Sequence, residues 1–484
     1  MKAEKISRFF IGAMLALFAL LIVSAMLLGI FYGDGSRGRM ASFAAALALA
    51  AAYGLAMRWL QAEKFRLRAL NAAKTGAVLA ALCLAFNLAW VLFFQLEPSV
   101  DFLTFWNTAR DLASGGELSQ GIYVALFPHI LGYSAFLSIF IRLFGPLPML
   151  APILNVLLTT ASGLIIYLLC LRWRGVRTAF LAMLLWMLCP SKLLYNAMVL
   201  SEPLYTFLVL LFMLVLSGLE GRFGREKCGQ WQLGLLALGA AGALALMNAA
   251  RPIAAVPIIA FFIWLLLLRG RALGDTRLWR RWLAFAGALL ALYFLIGRCW
   301  SAWAEQTLGE KLPDIPGYSI CVGFNTRTGG SYADEDMNLL FECRKELGSA
   351  AAAQDRMLAY ARDRVESGEI DFPALFANKL RVFLGNDEGG AYYSLAGLNP
   401  RQYTLLAMAS NVFYYFLLLL ALGGALNIWR DRNKRALLLA PMYVLGLTLA
   451  QMLVEVAGRY HYSIIPMLVI CAAFSCGERR KNAA

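Results

Sequence analysis

Charge is what this sequence has least of. Only 15% of its 484 residues are Asp, Glu, Lys or Arg, while 61% are hydrophobic. An ordinary soluble domain carries about 25% charged residues, so a water-soluble globular enzyme of this length is excluded. Histidine occurs twice, and the nine cysteines show no CxxC or other metal-ligand spacing. No low-complexity tract and no internal repeat is evident. Acidic residues number 29 against 44 Lys and Arg, a formal net charge of +15. Such a balance raises nucleic acid as a partner until the positions of the basic residues are read.

The chain does have apolar runs near 20 residues, the length that crosses a bilayer's hydrocarbon core. They fall near 9–31, 41–60, 76–96, 149–171, 177–195, 203–219, 232–249, 253–268, 282–299, 402–428, 436–455 and 463–476. With the N-terminus inside, the cytoplasmic segments receive 25 of the 44 basic residues. These begin with Lys2, Lys5 and Arg8, continue through Arg172, Arg174 and Arg177, and end with Arg479, Arg480 and Lys481. Membrane proteins orient themselves by this cytoplasmic excess, so the charge is topological and no nucleic acid is implied.

The segment 129–144 (HILGYSAFLSIFIRLF) is apolar but only 16 residues long, bounded by Pro128 and by Gly145-Pro146. If it spanned, the Arg172/Arg174/Arg177 loop and the basic loops after it would flip outside. It therefore reads as a re-entrant or surface-lying element, beside a cavity that satisfies its backbone. The first run is longer than a signal-peptide core and is expected to remain as an anchor.

The expected fold is an all-α polytopic membrane protein of about twelve transmembrane helices, with a re-entrant or juxtamembrane segment and an external, mainly helical region. Residues 1–75 supply two extra N-terminal helices, and 76–299 a membrane core with an external loop at 97–127. Residues 300–401 form an external cap with helices near 337–347, 350–367 and 372–383, and 402–484 hold the C-terminal helices. Cys321 and Cys343 share the cap, where an oxidising compartment could pair them. Asp334, Glu335 and Asp336 read as surface charge.

Ionisable groups at membrane depth are costly, which makes each a functional candidate. Here they sit at outer helix ends: Asp101 and Asp111 in VDFLTFWNTARDL, His129 after Phe-Pro, Lys192 and Glu202 in CPSKLLYNAMVLSEPLY, and Arg251 in NAARPIAAVP. Glu455, Arg459, Tyr460 and His461 share the late turn VEVAGRYHYSIIP. A carboxylate within reach of a nucleophile can take its proton, and arginine or lysine can hold a phosphate as its bond breaks. The set suits deprotonation of a hydroxyl with departure of a phosphate. Nucleotide sugars are cytosolic, so an external site would draw its activated sugar from a lipid phosphate. Plainer readings stand beside these: a helix-end ion pair for Glu455 and Arg459, four apart, a snorkelling Arg251, a solvated Asp111, an ordinary interface His129, and a helix cap for Asp101.

In their order, DFLTFWNTARDL, FPH followed by LFG, CPSKLLYNAMVLSEPLYTFL, NAARP and GRYHYSIIP resemble the GT-C superfamily of membrane glycosyltransferases. The nearest part is bacterial glycosyltransferase family 39, relatives of the protein O-mannosyltransferases and of the aminoarabinose transferase. The resemblance covers 76–270 and, less closely, the last two helices. It implies a GT-C-like bundle with Asp101 as catalytic base and Glu202 as a second acidic residue that positions the acceptor or a divalent metal (Mg or Mn). Arg251, Arg459 and His461 would contact the lipid phosphate, with His129, Lys192 and Tyr460 completing the substrate-binding set. The implied reaction is inverting transfer from a polyprenyl-phosphate sugar to a hydroxyl of a glycan, lipid or protein at the outer face of the cell membrane, both termini being cytoplasmic. Two departures matter. Many relatives carry Asp-Glu where Asp101 is followed by Phe102, and FPH replaces a two-proline signature, which puts His129 where a proline would be. A GPI-mannosyltransferase-like enzyme and a lipid-linked sugar flippase are the alternatives. The flippase predicts charges near helix midpoints and matching halves, neither of which the chain has.

Overall fold

Apolar segments of this length must satisfy their own backbone groups in lipid, which only helices and closed barrels achieve. The computed structural model describes residues 2–62, 71–223, 229–268, 276–430 and 436–475, and no strand occurs among them. Nine of the described helices are long and apolar enough to cross a bilayer: Lys5–Phe31, Ser36–Arg58, Ala72–Phe93, Leu150–Arg174, Glu202–Phe223, Gln230–Ala250, Thr276–Leu308, Pro400–Arg430 and Ala436–Leu453. The other three expected spans are also helical, but shorter or broken. Val176–Met187 and Pro190–Asn196 meet at a 56° bend, because Pro190 cannot continue the hydrogen-bond ladder. Ala255–Leu267 is short, and a 3-10 turn Gly458–Ile464 leads into Ile465–Ala473. Large apolar side chains such as Val78, Leu82, Phe294, Leu426 and Leu449 stay exposed on the spans, as a lipid-facing surface requires. The chain is an all-α polytopic membrane protein.

The bundle has two chemically different ends. At one, Arg174 donates to the Phe474 carbonyl at 3.1 Å, as does Asn427 at 2.9 Å. The Ala436 amide donates to Glu220 at 3.3 Å, and Arg222 and Arg430 lie in the last turns of their helices. At the other end the helix Glu202–Phe223 begins with Glu202. Its 22 residues at about 1.5 Å each separate the two ends by about 33 Å, close to the hydrocarbon thickness of roughly 30 Å. Many of the basic residues assigned to the cytoplasm lie outside the described residues: Lys64, Arg66, Arg68, Arg225, Lys227, Arg269, Arg271, Arg432, Lys434, Arg435, Arg479, Arg480 and Lys481.

The segment His129–Phe144 is one helix, paired with Val100–Ser114. Ser134 donates to the Phe105 carbonyl at 3.0 Å, and the rings of Phe105 and Tyr133 meet edge to face. Its other contact is closer still. A Cβ on Gly132 would lie 2.0 Å from the Ala249 carbonyl oxygen, so this helix rests directly on the backbone two residues before Arg251.

The helix Thr276–Leu308 runs past residue 299, and the region expected to be external accordingly begins near Gly309. Its helices Asp334–Leu347, Ala350–Glu366 and Phe372–Leu384 follow the pattern expected from the sequence. A separate apolar core gathers Tyr318, Val322, Leu340, Ala353 and Met357, with Cys321 and Cys343 among them as free thiols rather than a disulfide. Asp336 is not surface charge. It is buried in an ion pair with Arg364 at 2.5 Å, because the first turn of its helix faces Ala350–Glu366. Lys379 fastens this region to the membrane helices, donating to the carbonyls of Gly323 at 2.9 Å and Met452 at 2.8 Å.

The N-terminal pair is docked on the same region. Gly29 touches the Gly385 backbone so closely that a Cβ there would clash, and Arg39, donating to the carbonyls of Gly29 and Tyr32, lies 3.5 Å from Glu388.

Replacing Gly132 with valine must push His129–Phe144 off the Ala249 backbone. Overpacking of this kind costs about 1–3 kcal/mol, so Gly132→Val is expected to lower the thermal unfolding midpoint in detergent; an unchanged midpoint would contradict the close approach.

Candidate active site

Four stretches of chain converge where the bundle meets the external region. Pro252 disfavours helical backbone at the residue before it, so the helix Gln230–Ala250 stops and Arg251 takes up an extended conformation (φ −158°, ψ 122°). Asp101 lies in the first turn of Val100–Ser114, behind Ser99 at the N-cap position. A carboxylate there is favoured by the helix dipole. Asp101 is thus not the cap itself. Val100, just before it, has φ +48°, a conformation costly for a β-branched residue. Arg459 and Tyr460 lie in the 3-10 turn Gly458–Ile464, whose helix restarts beside Pro466.

Arg459 is the centre of the cluster. Its Nη2 donates to Asp101 Oδ2 at 2.6 Å, and its Nε lies 3.9 Å from Glu202 Oε1. The guanidinium also sits against Tyr393, Phe102 and Tyr460, with ring centroids at 5.0, 5.5 and 5.7 Å. Arg251 stacks on the other partner of that aromatic group, 4.2 Å from the Tyr460 centroid. Asp101, Glu202, Arg251, Arg459 and Tyr460 are therefore brought together from positions up to 359 residues apart. His129 borders the group. Removal from water, and then the charge of Arg251, hold its imidazole pKa well below the usual range, which leaves it neutral at pH 7.

Two expected members are placed elsewhere. Lys192 is buried at the bend before Glu202, where it donates to Asn87 Oδ1 at 3.1 Å and the Met187 carbonyl at 3.3 Å. The turn that starts at Pro190 directs its side chain inward, away from the carboxylates. His461 pairs with Asp387 at 3.1 Å, both about 1–2% exposed, and its ring lies on Tyr414. In a 3-10 turn, neighbouring residues point about 120° apart, so Arg459 and Tyr460 face the cluster while His461 faces the core. Asp111, expected on a solvated face, accepts from the Ser119 amide and hydroxyl at 2.8 and 2.7 Å and closes its own loop.

Glu455 belongs to the site but not as the helix-end partner of Arg459. The helix ends at Leu453, and the Glu455 amide donates to the Ser319 carbonyl at 2.7 Å. Its spacing of four residues from Arg459 is therefore no helical spacing. Burial raises its carboxyl to about 7, against the opposing charges of Arg459 and Arg251. Tyr393, Asp387 and Glu388 were not legible from spacing. Their stretch NDEGGAYY lies in the external region, and only the fold brings it to the final turn. Asn411 shapes it, accepting from the Asp387 amide at 3.0 Å and donating to Glu388 at 2.8 Å.

For a divalent metal the donor set is poor. Among the described residues no three His, Cys, Asp or Glu side chains are placed so that they could hold one ion, and the Arg459 guanidinium already contacts Asp101 and lies beside Glu202.

Fold and site together define a polytopic helical membrane protein with a cluster of carboxylates, guanidinium groups and tyrosines at one end of its bundle. No family model matches the chain, and no curated protein matches its sequence. Among solved structures it is similar to ArnT from Cupriavidus metallidurans bound to undecaprenyl phosphate, at 13% identity and a TM-score of 0.37, over 80% of this chain and 77% of that one. The apo state of the same protein matches at 12% identity and a TM-score of 0.35, over 81% and 78%. The likeness is distant, and the functional reading rests on the chain's own residues.

The Glu455 carboxyl yields a test of stability. A carboxyl raised from 4.5 to about 7 on folding binds more protons in the native state between those values, so its contribution is full below pH 4.5 and lost as pH rises through 7. Glu455→Gln cannot lose it. The variant should unfold at a higher temperature than the parent at pH 8.5, with the gap closing by pH 4.5; a gap independent of pH would contradict the shift.

Proposed function

We propose that the chain is a membrane glycosyltransferase of GT-C type. It moves a sugar from a polyprenyl-phosphate donor to a hydroxyl acceptor at the periplasmic or extracellular face. The observation that carries this reading is the pairing of Arg251 and Arg459 across Tyr460 beside Asp101 and Glu202. Two guanidinium groups at the edge of an apolar bundle suit a phosphate whose lipid tail remains in the bilayer. Their fixed charge stabilises the negative charge that grows on the leaving phosphate. Carboxylates beside them supply a proton acceptor for the hydroxyl that attacks the sugar's anomeric carbon.

The position of the charges favours this over a flippase. Asp101, Arg251 and Arg459 lie at helix ends and turns, and Glu202 opens its helix, whereas a carrier needs its polar groups near helix midpoints. The outward orientation follows from the arrangement of basic residues, with the opposite, Arg-bearing end in the cytoplasm. The site then has no access to nucleotide sugars.

A panel of radiolabelled undecaprenyl-phosphate sugars, given to the protein in liposomes with a crude envelope acceptor, tests the proposal. Release of undecaprenyl phosphate is expected for one donor. It should fall by about 10²–10³ in Arg251→Ala, the usual cost of removing one such charge-stabilising donor, and change little in Lys192→Met. If labelled lipid crosses the bilayer and no donor is consumed, the chain is a carrier.

A further inference from the structure

Three carboxylates border the two arginines, and they are not equivalent. Asp101 is engaged in a hydrogen-bonded ion pair with Arg459 at 2.6 Å, and Glu202 lies 3.9 Å from the same guanidinium, 3% exposed. Both are thus turned toward the Arg459 guanidinium, one in a direct hydrogen bond. The third, Glu455, has neither a hydrogen bond nor an ion pair to its carboxylate among the described residues and is only partly buried. Its backbone is nonetheless fixed: the Glu455 amide donates to Ser319 at 2.7 Å and the Val456 amide to Gly330 at 2.9 Å. Lys379 clamps Met452 just before it.

We propose that Glu455, rather than Asp101, takes the acceptor's proton, and that Asp101 and Glu202 act by holding Arg459 for the phosphate. The assignment rests on the glycosyl-transfer reading above and refines it. In the step, the acceptor O–H proton passes to a Glu455 oxygen while the acceptor oxygen forms a bond to the anomeric carbon. The carbon–oxygen bond to phosphate breaks, and its electron pair leaves on the phosphate beside Arg251 and Arg459. Atoms and charge balance without a further reactant.

The surroundings of Glu455 suit a proton acceptor. The charged groups that act on it are Arg459 in the final turn, Arg251 after its helix, Asp101 in the first external helix and Lys379 in the cap. Tyr123, Tyr318 and Tyr332 from the first external loop and the cap, and Tyr460 from the final turn, each feel its charge. The cationic neighbours lower its proton affinity and burial raises it, with burial the larger effect. A base of that strength is half ionised near neutral pH, where general-base catalysis is most effective.

The test compares the parent protein with Glu455→Gln, Glu455→Ala and Asp101→Asn in liposomes, using whichever undecaprenyl-phosphate sugar the parent consumes, from pH 5 to 9. The parent rate should rise with pH through about 7. Glu455→Gln should lose kcat by about 10²–10⁴, the span of general-base contributions, with little change in donor KM and without the acidic limb. Added formate should restore part of the rate to Glu455→Ala. Asp101→Asn should instead raise the donor KM and keep the limb. If Glu455→Gln retains the rate, or loses rate while the limb persists and formate has no effect, Glu455 only positions its neighbours and the assignment is wrong. If the parent consumes no donor, glycosyl transfer itself is overturned, and the assignment falls with it.

Discussion

The site depends on one solvation problem: Arg459 is nearly removed from water, its side chain 11% exposed. A buried cation is tolerated only when opposite charge and hydrogen bonds replace its hydration. Asp101 supplies the close partner and Glu202 a second, more distant one, while three aromatic rings take the faces of the guanidinium. These groups come from the helix Val100–Ser114, the start of the span at Glu202, the region between Gly309 and Pro400, and the final turn. Satisfying a single guanidinium thus ties together parts of the chain that share no local interaction. Removing one partner would leave the guanidinium, itself largely out of water, with less opposing charge.

Around that centre the packing is arranged to fix position. Gly132 lets one helix lie against the backbone just before Arg251, and Pro252 ends the helix where that arginine must project. Lys379 joins the cap to the membrane helices, and the contact of Gly29 with Gly385 brings the N-terminal pair against the segment that carries Asp387 and Glu388. The two extra helices therefore do more than anchor the chain. Through Arg39 and Glu388 they brace the turn behind the site. The buried pair of His461 and Asp387 belongs to this support, which explains why a histidine two residues from Arg459 faces the core.

The same geometry divides labour among the carboxylates. Asp101 and Glu202 fix the position of the Arg459 guanidinium, while Glu455 has no partner for its carboxylate among the described residues. Apolar surroundings strengthen the pairing, since charge interactions are weakly screened there.

The sequence alone determined the class of fold, because apolar length and the placement of basic residues act through local physics: a run near 20 residues must be a helix in lipid, and Lys and Arg stay where water is. It also placed Asp101, Glu202, Arg251, Arg459 and Tyr460 at helix ends, as the cost of buried charge requires. Which of them meet was decided only by the tertiary structure. Lys192 and His461 carry the same kind of signal as Arg251 and Arg459, yet the bend at Pro190 and the 120° step of a 3-10 turn send them elsewhere. Tyr393, Arg39 and Glu388 carry no local signal, since their roles come from packing between segments far apart in the chain. The four-residue spacing of Glu455 and Arg459 suggested a helical pair, but the helix ends before it begins, and the backbone geometry leaves that carboxylate free.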